Sequence, residues 1–138
     1  MFENVNYEIV SNNDFRLNKA LTTTIKTLNN EYLILISEKV YDGANELNIG
    51  GYRMHIMHEI CHVILFKIGF KPNLEKVYKN KKLKAYESIE WQAKALAGEI
   101  LIPYSATIDM TLEEIVKECK VSKEAALFRI NCYNKKIQ

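Results

Sequence analysis

All three histidines of the chain fall between residues 55 and 62, in a stretch whose apolar residues point in almost every direction around a helical wheel. Ile56, Met57, Ile60, Cys61, Val63, Ile64, Leu65, Phe66 and Ile68 leave this helix no fully polar face, so it has to be buried on most sides. Ionisable groups on a buried helix are costly unless they are paired or bound to a metal. Any fold the chain adopts must therefore wrap a helix that runs from about Arg53 to Gly69 and still give its histidines a partner. Gly69 is placed to end the helix and Pro72 prevents its resumption.

His58-Glu59-Ile60-Cys61-His62 has the form H-E-x-x-H. On a helix, residues four apart share a face at about 6 Å, so both imidazoles can reach one tetrahedral Zn²⁺. Glu59 is rotated by about 100° from His58. From there its carboxylate can act as general base towards a water on the metal. By residue frequencies alone, such a match has a probability of roughly 0.3% in a chain of this length, which favours a site over coincidence.

A catalytic zinc needs a third protein ligand and an open position. A second histidine motif of the metzincin kind would need Gly and His where Leu65 and Ile68 stand, so that pattern is excluded. His55 shares the face of His58, but three ligands from one helix make a poor tetrahedron. It is better read as a contact for substrate or as a helix-start residue. A carboxylate from a second helix, expected from about Tyr86 to Leu101, fits better, and Glu87, Glu90 and Glu99 are on offer. The apolar stripe formed by Ile89, Ala93, Leu96, Ala97 and Ile100 is bordered by Glu90; Glu87 lies further from it and Glu99 points away. Small Ala93 and Ala97 would let the two helices approach.

The rest of the chain reads as an α+β domain, with a small, mainly antiparallel sheet first and helices after. Val5 to Val10 alternates, and Leu21 to Leu28 and Tyr32 to Ile36 flank an Asn29-Asn30 turn as a hairpin. The unbroken apolar run of the last strand calls for cover on both faces, from the helix that follows. Asp42 to Gly51 reads as loop. Thr111-Leu112-Glu113-Glu114 is a capping box opening a third helix, and a fourth begins at about Lys123 after Val121-Ser122. The 138 residues thus divide into a mainly β part (1–51), two metal-bearing helices (52–103) and a helical hairpin (104–138) within one domain. The lysines between Lys71 and Lys84 read as a solvated loop.

The net charge of +2 does not point to nucleic acid or an anionic membrane. Residues 111–133 could suggest a DNA-binding helix-turn-helix, but Val121, Ala125, Phe128 and Cys132 form a packing stripe and the charges there nearly balance. Three irregularly spaced cysteines fit a reducing compartment, and the chain shows no signal-peptide pattern and no bilayer-length apolar run. A cytoplasmic location is expected.

The segments His58 to His62 and Glu90-Trp-Gln-Ala93-Lys-Ala-Leu-Ala97-Gly-Glu99-Ile-Leu-Ile-Pro103 resemble the ImmA/IrrE metallopeptidases, whose pattern is H-E-x-G-H followed by E-x-x-A-N-x-F-A-x-E-L-L-M-P. The similarity extends from about Tyr32 to Ile130 and includes a closing segment ending in Arg129-Ile130. It implies a minimal zincin-like domain with a gluzincin-type Zn²⁺ site: His58, His62 and Glu90 as ligands, Glu59 as base. It also implies a protein substrate, a helix-turn-helix transcriptional repressor, in a phage or mobile-element setting. Cys61, Lys94, Leu96 and His55 depart from the pattern without removing a ligand. The main reading is a peptidase. The rival is a regulatory protein that uses zinc to hold its helices and sequesters or releases a repressor without hydrolysis. His55, Tyr104, Tyr86 and Arg53 are the candidate oxyanion or substrate contacts.

Overall fold

A computed structural model describes residues 2–47, 49–70, 82, 84 and 88–136, with side chains as far as residue 134. Among the described residues three strands form the sheet: β1 (Val5–Val10), β2 (Thr22–Lys26) and β3 (Tyr32–Ser37). They are ordered β1-β3-β2. The β2–β3 ladder is the expected antiparallel hairpin, with Thr24 opposite Ile34. β1 pairs with β3 in parallel, Val5 opposite Tyr32, so the sheet is mixed.

Position in the sheet explains the apolar run of β3. Tyr32, Ile34 and Ile36 pack with Val40 and Val63 on the helical face. Leu35 turns the other way, against Val10 and Leu17. Both faces are covered as expected, but the second is closed by a 3-10 turn at Phe15–Leu17 rather than by a helix.

Two helices follow β3: α1 (Glu38–Asn45) and the long α2 (Gly50–Lys67). The expectation of a loop from Asp42 is corrected here, since α1 runs through Asn45 and α2 starts at Gly50, ahead of Arg53. The reasons are tertiary. The first turn of α1 is capped from far away, by Asn12 Oδ1 accepting from the Lys39 N–H at 2.9 Å. A Cβ on Gly43 would stand 2.2 Å from the Tyr52 ring, and one on Gly50 would stand 2.4 Å from the Val121 main chain. Both glycines sit in helices because a neighbour lies too close for a side chain. Gly69, at φ 84°, ends α2 as expected.

The next helix among the described residues is α3 (Ile89–Leu101), followed by the short α4 (Tyr104–Thr107), α5 (Leu112–Cys119) and α6 (Lys123–Lys136). Ser88 caps α3 by accepting from the Trp91 N–H. The expected start at Tyr86, the rejected ligand candidate Glu87 and most of the lysine-rich stretch lie outside the described residues. The Thr111–Glu114 capping box is formed in both directions. α2 and α3 pack through Cys61, Leu65, Ala93 and Ala97, the small residues allowing the close approach. Behind them, Ile102, Ile115, Val121 and Ala126 form the core of the helical hairpin. The architecture is α+β, a small sheet followed by helices.

Candidate metal centre

Helical periodicity places His58 and His62 on the side of α2 that faces α3, where Glu90 enters from the first turn of that helix. The three donors form a tight triangle. His58 Nε2 lies 3.0 Å from His62 Nε2, and each imidazole nitrogen lies 3.1 Å from a different Glu90 oxygen. Ligands arranged tetrahedrally at zinc distances stand about 3.3 Å apart, so the triangle needs little adjustment to hold such an ion. The donor set also calls for a cation. The cleft walls carry two imidazoles and two carboxylates, and no Lys or Arg lines it among the described residues.

The electrostatics suit ligation. Burial, and next the adjacent His62, hold the His58 imidazole below its ordinary pKa, with Glu59 and Glu90 opposing. A depressed value keeps the imidazole neutral near pH 7, as a metal ligand must be. Glu90 keeps 64% of its side-chain surface exposed, so the centre opens to solvent and to an incoming group.

Glu59 leaves α2 in another direction, towards the sheet, and is only 7% exposed. Two hydroxyls of β2 hold it: Thr22 Oγ1 donates to Oε1 at 3.0 Å and Thr24 Oγ1 to Oε2 at 2.7 Å. A buried carboxylate without such donors would carry a large desolvation cost. Thr22 and Thr24 were not among the sequence candidates. Their signal was the Thr-rich strand, which reads equally well as ordinary β propensity.

These groups line an open cleft of about 470 Å³, bounded by Thr22, Thr23, Thr24, Phe66 and Ile89 besides the four ionisable residues. Its floor is β2, which has no further strand beside it among the described residues. The Ser37 N–H donates to Leu21 O and the Thr27 N–H donates to Glu31 O. Alternation along an antiparallel ladder then turns the main-chain groups of Thr22, Thr24 and Lys26 away from β3, towards the open edge.

The remaining candidates sit elsewhere. Arg53 Nε donates to the Ala44 carbonyl in α1. Tyr104 stacks edge-on against Tyr133, with centroids 4.8 Å apart. His55 is exposed beside Tyr52. None of these three lines the cleft, and Tyr86 is outside the described residues. Cys61, wedged between α2 and α3, is fully buried, and burial pushes its thiol pKa up to about 11. A thiol in that state is inert near neutrality.

At the other end of α3, Glu99 pairs with Arg129 of α6 and accepts from the Tyr104 N–H at 3.1 Å. Arg129 Nη2 also donates to the Ile102 carbonyl at 3.1 Å, which the Tyr133 hydroxyl reaches at 3.2 Å. This network ties the C-terminal hairpin to α3, the helix that carries Glu90.

No helix among the described residues is long and apolar enough to cross a membrane. No curated protein and no solved structure matches the chain. The model of the M78 peptidases, described as the IrrE N-terminal-like domain, matches residues 45–131, from the end of α1 into α6 and so across both helices that carry the His-His-Glu group. With more than half of its length matched, and with a His-His-Glu group placed to hold a metal, the chain belongs to the M78 peptidase family.

Proposed function

We propose that the protein is a zinc metalloendopeptidase that cleaves a protein regulator, a helix-turn-helix transcriptional repressor. The observation that carries the reading is the division of labour on α2: His58 and His62 face Glu90, while Glu59, one position on, is held beside them by Thr22 and Thr24. A structural metal site needs only the first of these arrangements. The second, a buried carboxylate fixed at the edge of an open metal site, is what a general base requires.

Zinc in the His58–His62–Glu90 site would lower the pKa of a coordinated water and polarise the scissile carbonyl. Glu59 takes the proton of the attacking water and returns it to the amine as the C–N bond breaks. The outward main-chain groups of Thr22, Thr24 and Lys26 can pair with an extended peptide laid along β2, which brings its backbone past Glu59. The repressor as substrate, and the phage or mobile-element setting, rest on the family resemblance of the two motifs.

The test uses a helix-turn-helix repressor from the chain's own source, sought first beside its gene. Incubated with the zinc-loaded protein, it should yield two defined fragments by mass spectrometry. Glu59→Gln should keep stoichiometric zinc and lose about 10²–10⁴-fold in rate. Cleavage by Glu59→Gln at the normal rate would remove Glu59 as the base. Release of an intact repressor from DNA by both proteins would instead make this a zinc-stabilised binding protein.

A further inference from the structure

A histidine that binds a metal through Nε2 ordinarily donates its Nδ1–H to a carbonyl or carboxylate, which fixes the plane of the ring and hence the direction of the Nε2 lone pair. His62 lacks this support. Its Nδ1 is buried and has no hydrogen-bond partner among the described residues. Yet the ring is held in one orientation, with Nε2 within 3.1 Å of both His58 and Glu90.

Aromatic planes surround it. The ring of Phe66, one turn further along α2, stacks on His62 with centroids 5.9 Å apart and planes inclined by 22°. His58 meets His62 edge-on at 4.6 Å, which limits rotation from the other side. Phe66 is itself aligned by Tyr32, at 6.1 Å and 10°. Tyr32 is buried in the central strand, and the Lys67 ammonium sits 5.7 Å from its ring centre while donating to the Glu3 carbonyl. A column of parallel rings thus runs from the sheet to the metal centre. It also explains why a phenyl group is left 37% exposed at the mouth of the cleft.

We propose that Phe66 is a positioning residue for the metal ligand His62, its ring face replacing the hydrogen bond that Nδ1 does not make. The inference rests on the assignment of His58, His62 and Glu90 as ligands. Stacking restrains the tilt of the imidazole but supplies no acceptor, so metal binding itself selects the tautomer with the proton on Nδ1. Planarity at residue 66 is then what matters, and a branched aliphatic side chain of similar apolar area cannot substitute.

The experiment measures zinc affinity by chelator competition, in the absence of any substrate, for the wild type, Phe66→Leu, Phe66→Tyr and His62→Ala. Phe66→Leu should bind zinc about tenfold more weakly, the loss typical of removing an outer support of a ligand. Phe66→Tyr should retain wild-type affinity. The cobalt-substituted protein should show a changed visible absorption band in Phe66→Leu and not in Phe66→Tyr. Phe66→Met replaces Phe66→Leu as the aliphatic variant if the latter does not fold. An aliphatic variant that binds zinc as tightly as the wild type, with an unchanged cobalt spectrum, would overturn the role of Phe66. Failure of the wild type to bind zinc, or undiminished binding by His62→Ala, would overturn the ligand assignment itself.

Discussion

The two ends of α3 each present a glutamate to another helix, and the two carboxylates meet opposite surroundings. Glu99, near the C-terminus, meets a permanent cation. Arg129 pairs with it, and the Tyr104 N–H, the Ile102 carbonyl and the Tyr133 hydroxyl complete a network in which donors and acceptors are matched. Glu90, in the first turn, meets two imidazoles, one of them held neutral by burial, and stands largely in solvent. The ligand atoms of all three side chains converge there closely enough for one cation to be held between them. One helix therefore carries a closed polar network that fixes structure and an open one that can bind, and the difference lies in the partner rather than in the residue type.

The comparison is broken or upheld most directly by exchanging the two carboxylates for alanine. Glu90→Ala should cost more than about 100-fold in zinc affinity, beyond what changes to outer-shell residues cause, with little change in the melting temperature of the metal-free protein. Glu99→Ala should do the reverse. Equal zinc affinity in the two variants would misplace the third ligand. A smaller effect is expected on the Arg129 side. Arg129→Met keeps an unbranched apolar side chain but removes the guanidinium that lies over Tyr133 and donates to Glu99 and Ile102. The change should destabilise the protein by about 1–3 kcal/mol in denaturant titration, without loss of bound zinc. Zinc loss in parallel with stability would mean that the hairpin holds the centre in shape.

The sequence carried one of these ends more clearly than the other. The place of Glu90 beside the two histidines was legible because a zinc site on H-E-x-x-H would need a third ligand and the wheel of α3 left one carboxylate at the border of its apolar stripe. On the same wheel Glu99 pointed away from the stripe, which is correct, but nothing local indicated that Arg129, thirty residues on, would meet it there. The elements followed the same rule. β1, the hairpin, Gly69 and the capping box were readable because each is decided by neighbours in sequence. The helix α1 was missed because its cap is Asn12 and its glycine answers to Tyr52. The oxyanion candidates were chosen by residue type. Their placement depends on how α1, α4 and α6 pack, which leaves Arg53 on Ala44 and Tyr104 on Tyr133.

A third glutamate sharpens the contrast. Glu59 is buried like a structural carboxylate, yet the partners that hold it are the neutral hydroxyls of Thr22 and Thr24 rather than a guanidinium. Hydroxyls fix the position of both oxygens without supplying a countercharge, so the group stays in place and can still accept a proton. Had an arginine stood at position 24, the network would be closed, as at Glu99. Thr24→Val removes the 2.7 Å donor at nearly constant volume and leaves Thr22 on the other oxygen. A hydrogen bond to a charged group contributes about 1.5–3 kcal/mol, and part of that is lost when the carboxylate can swing. We expect kcat for the proposed cleavage to fall about tenfold, with KM and zinc content unchanged, and Thr24→Ser to recover the rate. The Ser and Val variants differ in the hydroxyl, so equal rates for the two would show that Thr24 only packs. Glu59 would then be held by Thr22 and α2 alone.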